Sequence, residues 1–133
     1  MVGKKPEMMD FLRIWLRRPF DLGRYDCLQM VREFYSLPDR WGGIDLSRDG
    51  DYTQLWLGDK WEARALYLRM LSDYFTPISP VERLPGDLIV IESPLFSVGI
   101  YLGNDVYIGF SEKKGSYTAR LTGRYTVMRR KDG

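Results

Sequence analysis

The hydrophobic pattern of this chain changes period once, between residues 75 and 85, and that change limits the possible folds more than any single motif. Before it, apolar residues recur at helical spacing: Met8, Phe11, Leu12 and Trp15, then Cys27, Val31, Phe34 and Tyr35, then Ala63, Leu66, Tyr67, Met70, Leu71 and Tyr74. After Pro77 and Pro80, the segments "GDLIVIE", "SVGIYLG", "DVYIGFS", "SYTARLT" and "RYTVMRR" are short, rich in β-branched and aromatic residues, and separated by Gly, Asn and Pro. Helices followed by a run of strands predict an α+β fold, with N-terminal helices packed on a small antiparallel sheet. The sequence reads as one domain over residues 1–133, its helical part at about 7–75 and its sheet part at about 84–130.

The boundaries follow from local chemistry. Pro19 is expected to stop the first helix. Asp26 can cap the second, which runs to about Ser36 before Pro38. Residues 38–59 hold four glycines among many polar residues and are read as a long loop. A third helix is predicted from Lys60 to Tyr74, and residues 76–85 as a connector between the two layers. Gly103-Asn104-Asp105 reads as a tight turn between strands.

Composition closes off several classes of function. The chain has one cysteine and no histidine in 133 residues, so an internal disulfide is impossible and a zinc or haem site is close to excluded. No cofactor or metal is expected. Net charge is +2, which gives no general affinity for nucleic acid. Basic residues gather towards the ends (Lys4, Lys5, Arg13, Arg17 and Arg18; Arg129, Arg130 and Lys131), a pattern typical of solvated faces or tails and less often of contact patches. No apolar run approaches a membrane span, and Lys4 and Lys5 are followed by Pro6, Glu7 and Asp10 with no small-residue cleavage site, so neither a span nor a signal peptide is expected. Synthesis in the cytoplasm is the default reading.

Three segments resemble the NlpC/P60 cysteine peptidases. "GRYDCLQMVREFY" is similar to that family's nucleophile helix, opened by an Asp-Cys pair. "LPGDLIVIE" is similar to its Pro-Gly-Asp-Leu strand start. "SVGIYLGNDVYIGF" resembles the next two strands, where the family writes a His before Val-Gly-Ile-Tyr-Leu-Gly. The segments occur in the family's order over about the last four-fifths of the chain. The compact opening "RRPFDLGRYDC" looks most like the phage-encoded branch found among tail-tip and tail-assembly proteins. The resemblance implies an NlpC/P60-like, papain-like fold and puts three positions at the catalytic triad: Cys27, Ser97 in place of the His, and Gly109 in place of the third polar residue. Only Cys27 keeps the chemistry. A serine hydroxyl cannot take the thiol proton near neutral pH as imidazole does, and glycine orients nothing.

Cys27 is therefore expected to be a buried, inert thiol, with a retained but unproductive cleft, or catalysis through an unforeseen base, as alternatives. Asp26 reads as a cap, Ser97 as an ordinary strand residue and Asp87 as a turn former. Asp45, Asp49 and Asp51 hint at calcium but lack the spacing and closing Glu of an EF-hand loop. Gly99, Gly103 and Gly109 precede no helix and make no phosphate cradle. Trp15, Trp41, Trp56 and Trp61 are expected in core and interface before any ligand platform.

The function expected is that of an inactive NlpC/P60-like structural protein of a bacteriophage tail, a virion component at the tail tip or in tail assembly. Its partners would be other tail proteins (hub, distal tail and tape measure), with peptidoglycan as a further candidate. The competing expectations are a cysteine peptidase or amidase acting on peptidoglycan stem peptides, and a cell-wall-binding module.

Overall fold

A computed structural model describes residues 7–92 and 96–131. Lys4, Lys5 and Pro6 of the basic N-terminus lie outside the described residues. The protein is α+β, with four α-helices and antiparallel sheets among the described residues. In chain order it runs α1 (Met8–Trp15), α2 (Cys27–Tyr35), β1 (Arg40–Trp41), β2 (Ile44–Asp45), α3 (Asp51–Gly58), α4 (Lys60–Tyr74), β3 (Phe75–Ile78), a 3-10 turn (Pro80–Glu82), β4 (Leu88–Ile91), β5 (Ser97–Gly103), β6 (Val106–Ser111), β7 (Gly115–Arg120) and β8 (Thr126–Arg130). Among the described residues no helix is long and apolar enough to cross a membrane.

Helix α1 buries Phe11 and Trp15 on the predicted face but stops before Pro19: Leu16 is extended and Arg17 turns to φ +59°. The backbone of Arg18 is occupied elsewhere. Its carbonyl accepts the Ser116 amide at 2.8 Å and its amide donates to Ser116 Oγ at 2.8 Å, which ties the end of the helical run to the start of β7. The neighbouring Gly115 (φ +70°) must be glycine, because a Cβ there would sit 2.1 Å from the Arg18 carbonyl oxygen. Trp15 then spans the layers, packing on Phe11, Tyr25 and Phe110 and donating its Nε1–H to Glu33 at 2.6 Å.

Two expected irregular stretches are ordered structure. Residues 38–59 form the β1–β2 hairpin, turned at Gly42 (φ +59°), and then helix α3, which starts after Gly50 and anchors through buried Tyr52 and Thr53. Within the 76–85 connector lies most of β3, which pairs with β8 at the edge of the main sheet. Pro77 is tolerated there because an edge strand leaves one side of its backbone unpaired.

The main sheet has six strands in the order β3-β8-β4-β5-β6-β7, every pairing antiparallel. Asn104 and Asp105 both take positive φ, the pattern of a type I′ turn, and join β5 to β6. One face of the sheet, through Leu88, Val90, Val98, Ile100, Ile108, Phe110 and Met128, shares a core with the helices. The other face carries a smaller cluster of Ile89, Tyr101, Tyr107, Leu121 and Val127, with Tyr117 packed against it. The basic C-terminal run is not a solvated tail. Arg129 binds Asp87 and Arg130 donates to the Tyr35 carbonyl, both from within β8.

Candidate functional site

Asp26 starts helix α2. Its backbone is extended, its Oδ1 accepts the Gln29 amide at 2.8 Å, and its Oδ2 accepts the Gly23 amide at 2.7 Å. The carboxyl is buried, and burial pushes its pKa up against the downward pull of those amides. The carboxyl thus sits at the helix N-terminus itself, directly before Cys27.

That residue is Cys27. Burial pushes its thiol up to about 12, the Asp26 charge adds to the rise, and hydrogen bonding by Tyr67 opposes it. Tyr67 also donates its hydroxyl to the Cys27 carbonyl oxygen at 3.0 Å, pinning α4 to the start of α2. A nucleophilic cysteine needs the opposite, a thiol whose proton leaves near neutral pH. Val31, Phe34 and Tyr35 are buried as their shared face predicts, whereas Cys27 is half-buried, because the sheet residues opposite the first turn leave a cleft.

The cleft has a volume of about 260 Å³ and is lined by Phe20, Cys27, Trp56, Arg64, Phe96, Phe110 and residues 111–113. Besides Cys27 its titratable side chains are Arg64, Glu112 and Lys113; Arg64 is a permanent cation, and Glu112 is held by Lys60 at 2.7 Å. Tyr52 and Tyr67 are phenols whose titration is linked in charge to the thiol, and burial pushes both well above the ordinary tyrosine range, so neither accepts a proton as phenolate near neutral pH.

Strand parity separates Cys27 from Ser97 and Gly109, the three positions singled out in the sequence. Val98 and Phe110 face the helical core that Cys27 packs against, so their neighbours Ser97 and Gly109 face the other side of the sheet. There Ser97 Oγ lies 3.0 Å from the Tyr117 hydroxyl. A Cβ on Gly109 would stand 3.0 Å from Tyr117 Cζ and from its hydroxyl. Tyr117 therefore covers both positions. The structure brings Ser97 and Gly109 together and leaves Cys27 across the sheet from them.

A direct consequence concerns the variant Ser97→His with Gly109→His. It should release no product from a model stem peptide beyond the same variant carrying Cys27→Ala, since the new imidazoles would enter the Tyr117 side. Its urea midpoint should also fall, by about 1–3 kcal/mol of stability, because a side chain at 109 overpacks Tyr117. Cysteine-dependent hydrolysis would show instead that an imidazole at one of these positions reaches the thiol.

The remaining candidates have structural roles. Asp45 Oδ1 accepts from Ser47 N and Oγ, which lowers its pKa, and Asp51 accepts the Asp45 amide, closing the loop on itself. Among the described residues no three His, Cys, Asp or Glu side chains are grouped to hold a metal ion. Trp15 is core, Trp41 donates to Asp73 at 2.7 Å, and Trp56 and Trp61 flank Arg64 beside the cleft. The sequence pattern does not mark Arg64 or Tyr117 as site residues. Tyr67 alone carries a signal, its place on the apolar face of α4. Comparison with known proteins adds no assignment, since no protein-family model matches the chain and no curated protein matches it.

Proposed function

We propose that this chain is a catalytically inert, NlpC/P60-like structural protein of a bacteriophage tail, acting at the tail tip or in tail assembly through contacts with other tail proteins. The observation that carries the inertness is the surroundings of Cys27: a thiol whose pKa is pushed up to about 12, facing Phe96 and Phe110 across an aromatic cleft. The family and the tail setting rest on "GRYDCLQMVREFY", "LPGDLIVIE" and "SVGIYLGNDVYIGF", and a helix opened by Asp-Cys and packed on an antiparallel sheet suits that reading. Leu57, Trp61 and Val81, exposed at 68%, 78% and 89%, offer apolar area of the kind that protein interfaces bury.

The genes flanking its own should encode tail tube, tape-measure and hub proteins, and the protein should be present in purified tails. A wall-turnover neighbourhood, with no protein in particles or assembly intermediates, would end the tail reading. Cys27→Ala should cost only about 1–2 kcal/mol of stability and leave infectivity near that of the unaltered phage. Loss of infectivity with normal folding and normal incorporation would return chemistry to the thiol.

A further inference from the structure

Arg64 projects from α4 into a ring of aromatic side chains. Its guanidinium carbon lies 5.4 Å from the Trp61 ring centre, 5.6 Å from that of Phe96 and 5.9 Å from that of Trp56. These rings hold the cation through their faces but accept no conventional hydrogen bond. Arg64 Nε is buried and has no hydrogen-bond acceptor among the described residues. A buried donor on a charged group is costly to leave unpaired, and an anionic oxygen that draws the guanidinium outward into the cleft removes that cost. The charge around it has the same sense. Lys60, one turn earlier, stands 5.5 Å from the Trp56 ring centre, and Lys113 lines the cleft, against the carboxylate of Glu112, which Lys60 pairs at 2.7 Å, and the buried Asp26 carboxyl behind Cys27.

The other walls, Phe20, Phe96 and Phe110, are apolar. A phosphate is polar on every side and gains nothing from those apolar walls, which would strip its hydration without replacing it. An internal Asp or Glu of a peptide would carry two flanking stretches of polar backbone into an aromatic cleft of about 260 Å³. A chain terminus brings only one such stretch, with its carboxylate beside its own last side chain.

We propose that the Cys27 cleft is a socket for the free C-terminal carboxylate of a partner protein, the carboxylate on Arg64 and an apolar last side chain among Phe20, Phe96 and Phe110. That the occupant belongs to a partner rests on the reading of an interaction subunit, while the chemistry of the socket does not.

The test uses the full chain, isotope-labelled, titrated with acetyl-Gly-Gly-Leu-Phe as the free acid and as its C-terminal amide. The Arg64 Nε–H resonance and tryptophan fluorescence are followed. The free acid should move the Arg64 resonance downfield and bind about tenfold or more tighter than the amide, the size of effect expected of one charge-assisted hydrogen bond. Arg64→Gln should erase the preference for acid over amide. Acid and amide titrating alike, or no movement of the resonance up to millimolar peptide, would overturn the socket. So would inorganic phosphate displacing the acid at equal concentration, which would mark a simple anion site. None of these failures touches the tail reading, which is tested on particles, and its failure would leave an acid-selective socket standing.

Discussion

Iodoacetamide should alkylate Cys27 in the folded chain about one to two orders of magnitude more slowly than in the urea-unfolded chain at about pH 8. With its pKa pushed up to about 12 from an ordinary 9.0, the folded thiol holds about a thousandfold less thiolate at that pH. A more basic thiolate is also a better nucleophile, which recovers about 20-fold of that loss. Half-burial among Phe20, Phe96 and Phe110 then restricts approach of the reagent. The pH profile is the sharper measurement. The logarithm of the native rate should climb with unit slope past the point, near 9, where an ordinary cysteine levels off. A plateau below neutral pH would mean a thiolate held ready for catalysis, and the inert reading would be wrong. The same linkage acts on the fold: stability due to the protonated thiol is fully present below pH 9.0 and is lost as pH rises through about 12.

The parts of this fold legible in the sequence are those where local and tertiary preferences agree. Helix α2 could be read because Asp26 caps it and its apolar residues keep one face. Helix α4 could be read in the same way, from the face running from Ala63 to Leu71. Helix α3 escaped because Gly50 and Gly58 bracket it and tertiary burial of Tyr52 and Thr53, not propensity, holds it in place. Strand β3 escaped because Pro77 argues against a strand until its edge position is known. At the site, Cys27 at the head of a helix was legible. The separation of Ser97 and Gly109 from it was also present in the sequence, as strict alternation around Val98, Ile100, Ile108 and Phe110, since period two sends adjacent residues to opposite faces. The Tyr117 cover was not legible, because it depends on the register that sets Tyr117 opposite Gly109. Neither was the Arg64 cage, assembled from α3, α4 and the residue before β5.

Asp87→Ala should destabilise the fold by about 3 kcal/mol, well beyond the cost of breaking an exposed ion pair. Sequence marks Asp87 only as a turn former after Pro85-Gly86, and it does accept the Leu84 amide at 2.8 Å. Its larger role is to receive Arg129, with Nε at 2.9 Å and Nη2 at 2.8 Å, a bidentate pair that joins the start of β4 to β8. Asp87 is 5% exposed, whereas the Arg129 side chain is 34% exposed. Breaking a buried pair costs about 3–5 kcal/mol, and partial solvation of the arginine argues for the lower end. The pair also sits where the layers meet: Tyr35 of α2 donates to the Gly86 carbonyl at 2.6 Å, next to Asp87, and Arg130 reaches back to the Tyr35 carbonyl. Urea unfolding near neutral pH should show the loss as a lower midpoint with an unchanged slope, the mark of altered stability in a chain that still folds to the same surface. Arg129→Ala should cost at least as much, because it strands the buried Asp87 carboxylate with only the Leu84 amide to offset the lost partner. The double variant should fall well short of the sum of the two, since either change alone already breaks the pair. A loss below about 1 kcal/mol for Asp87→Ala, or strict additivity with Arg129→Ala, would mean that the pair is a surface contact of ordinary worth and that the strand start is held by its backbone alone.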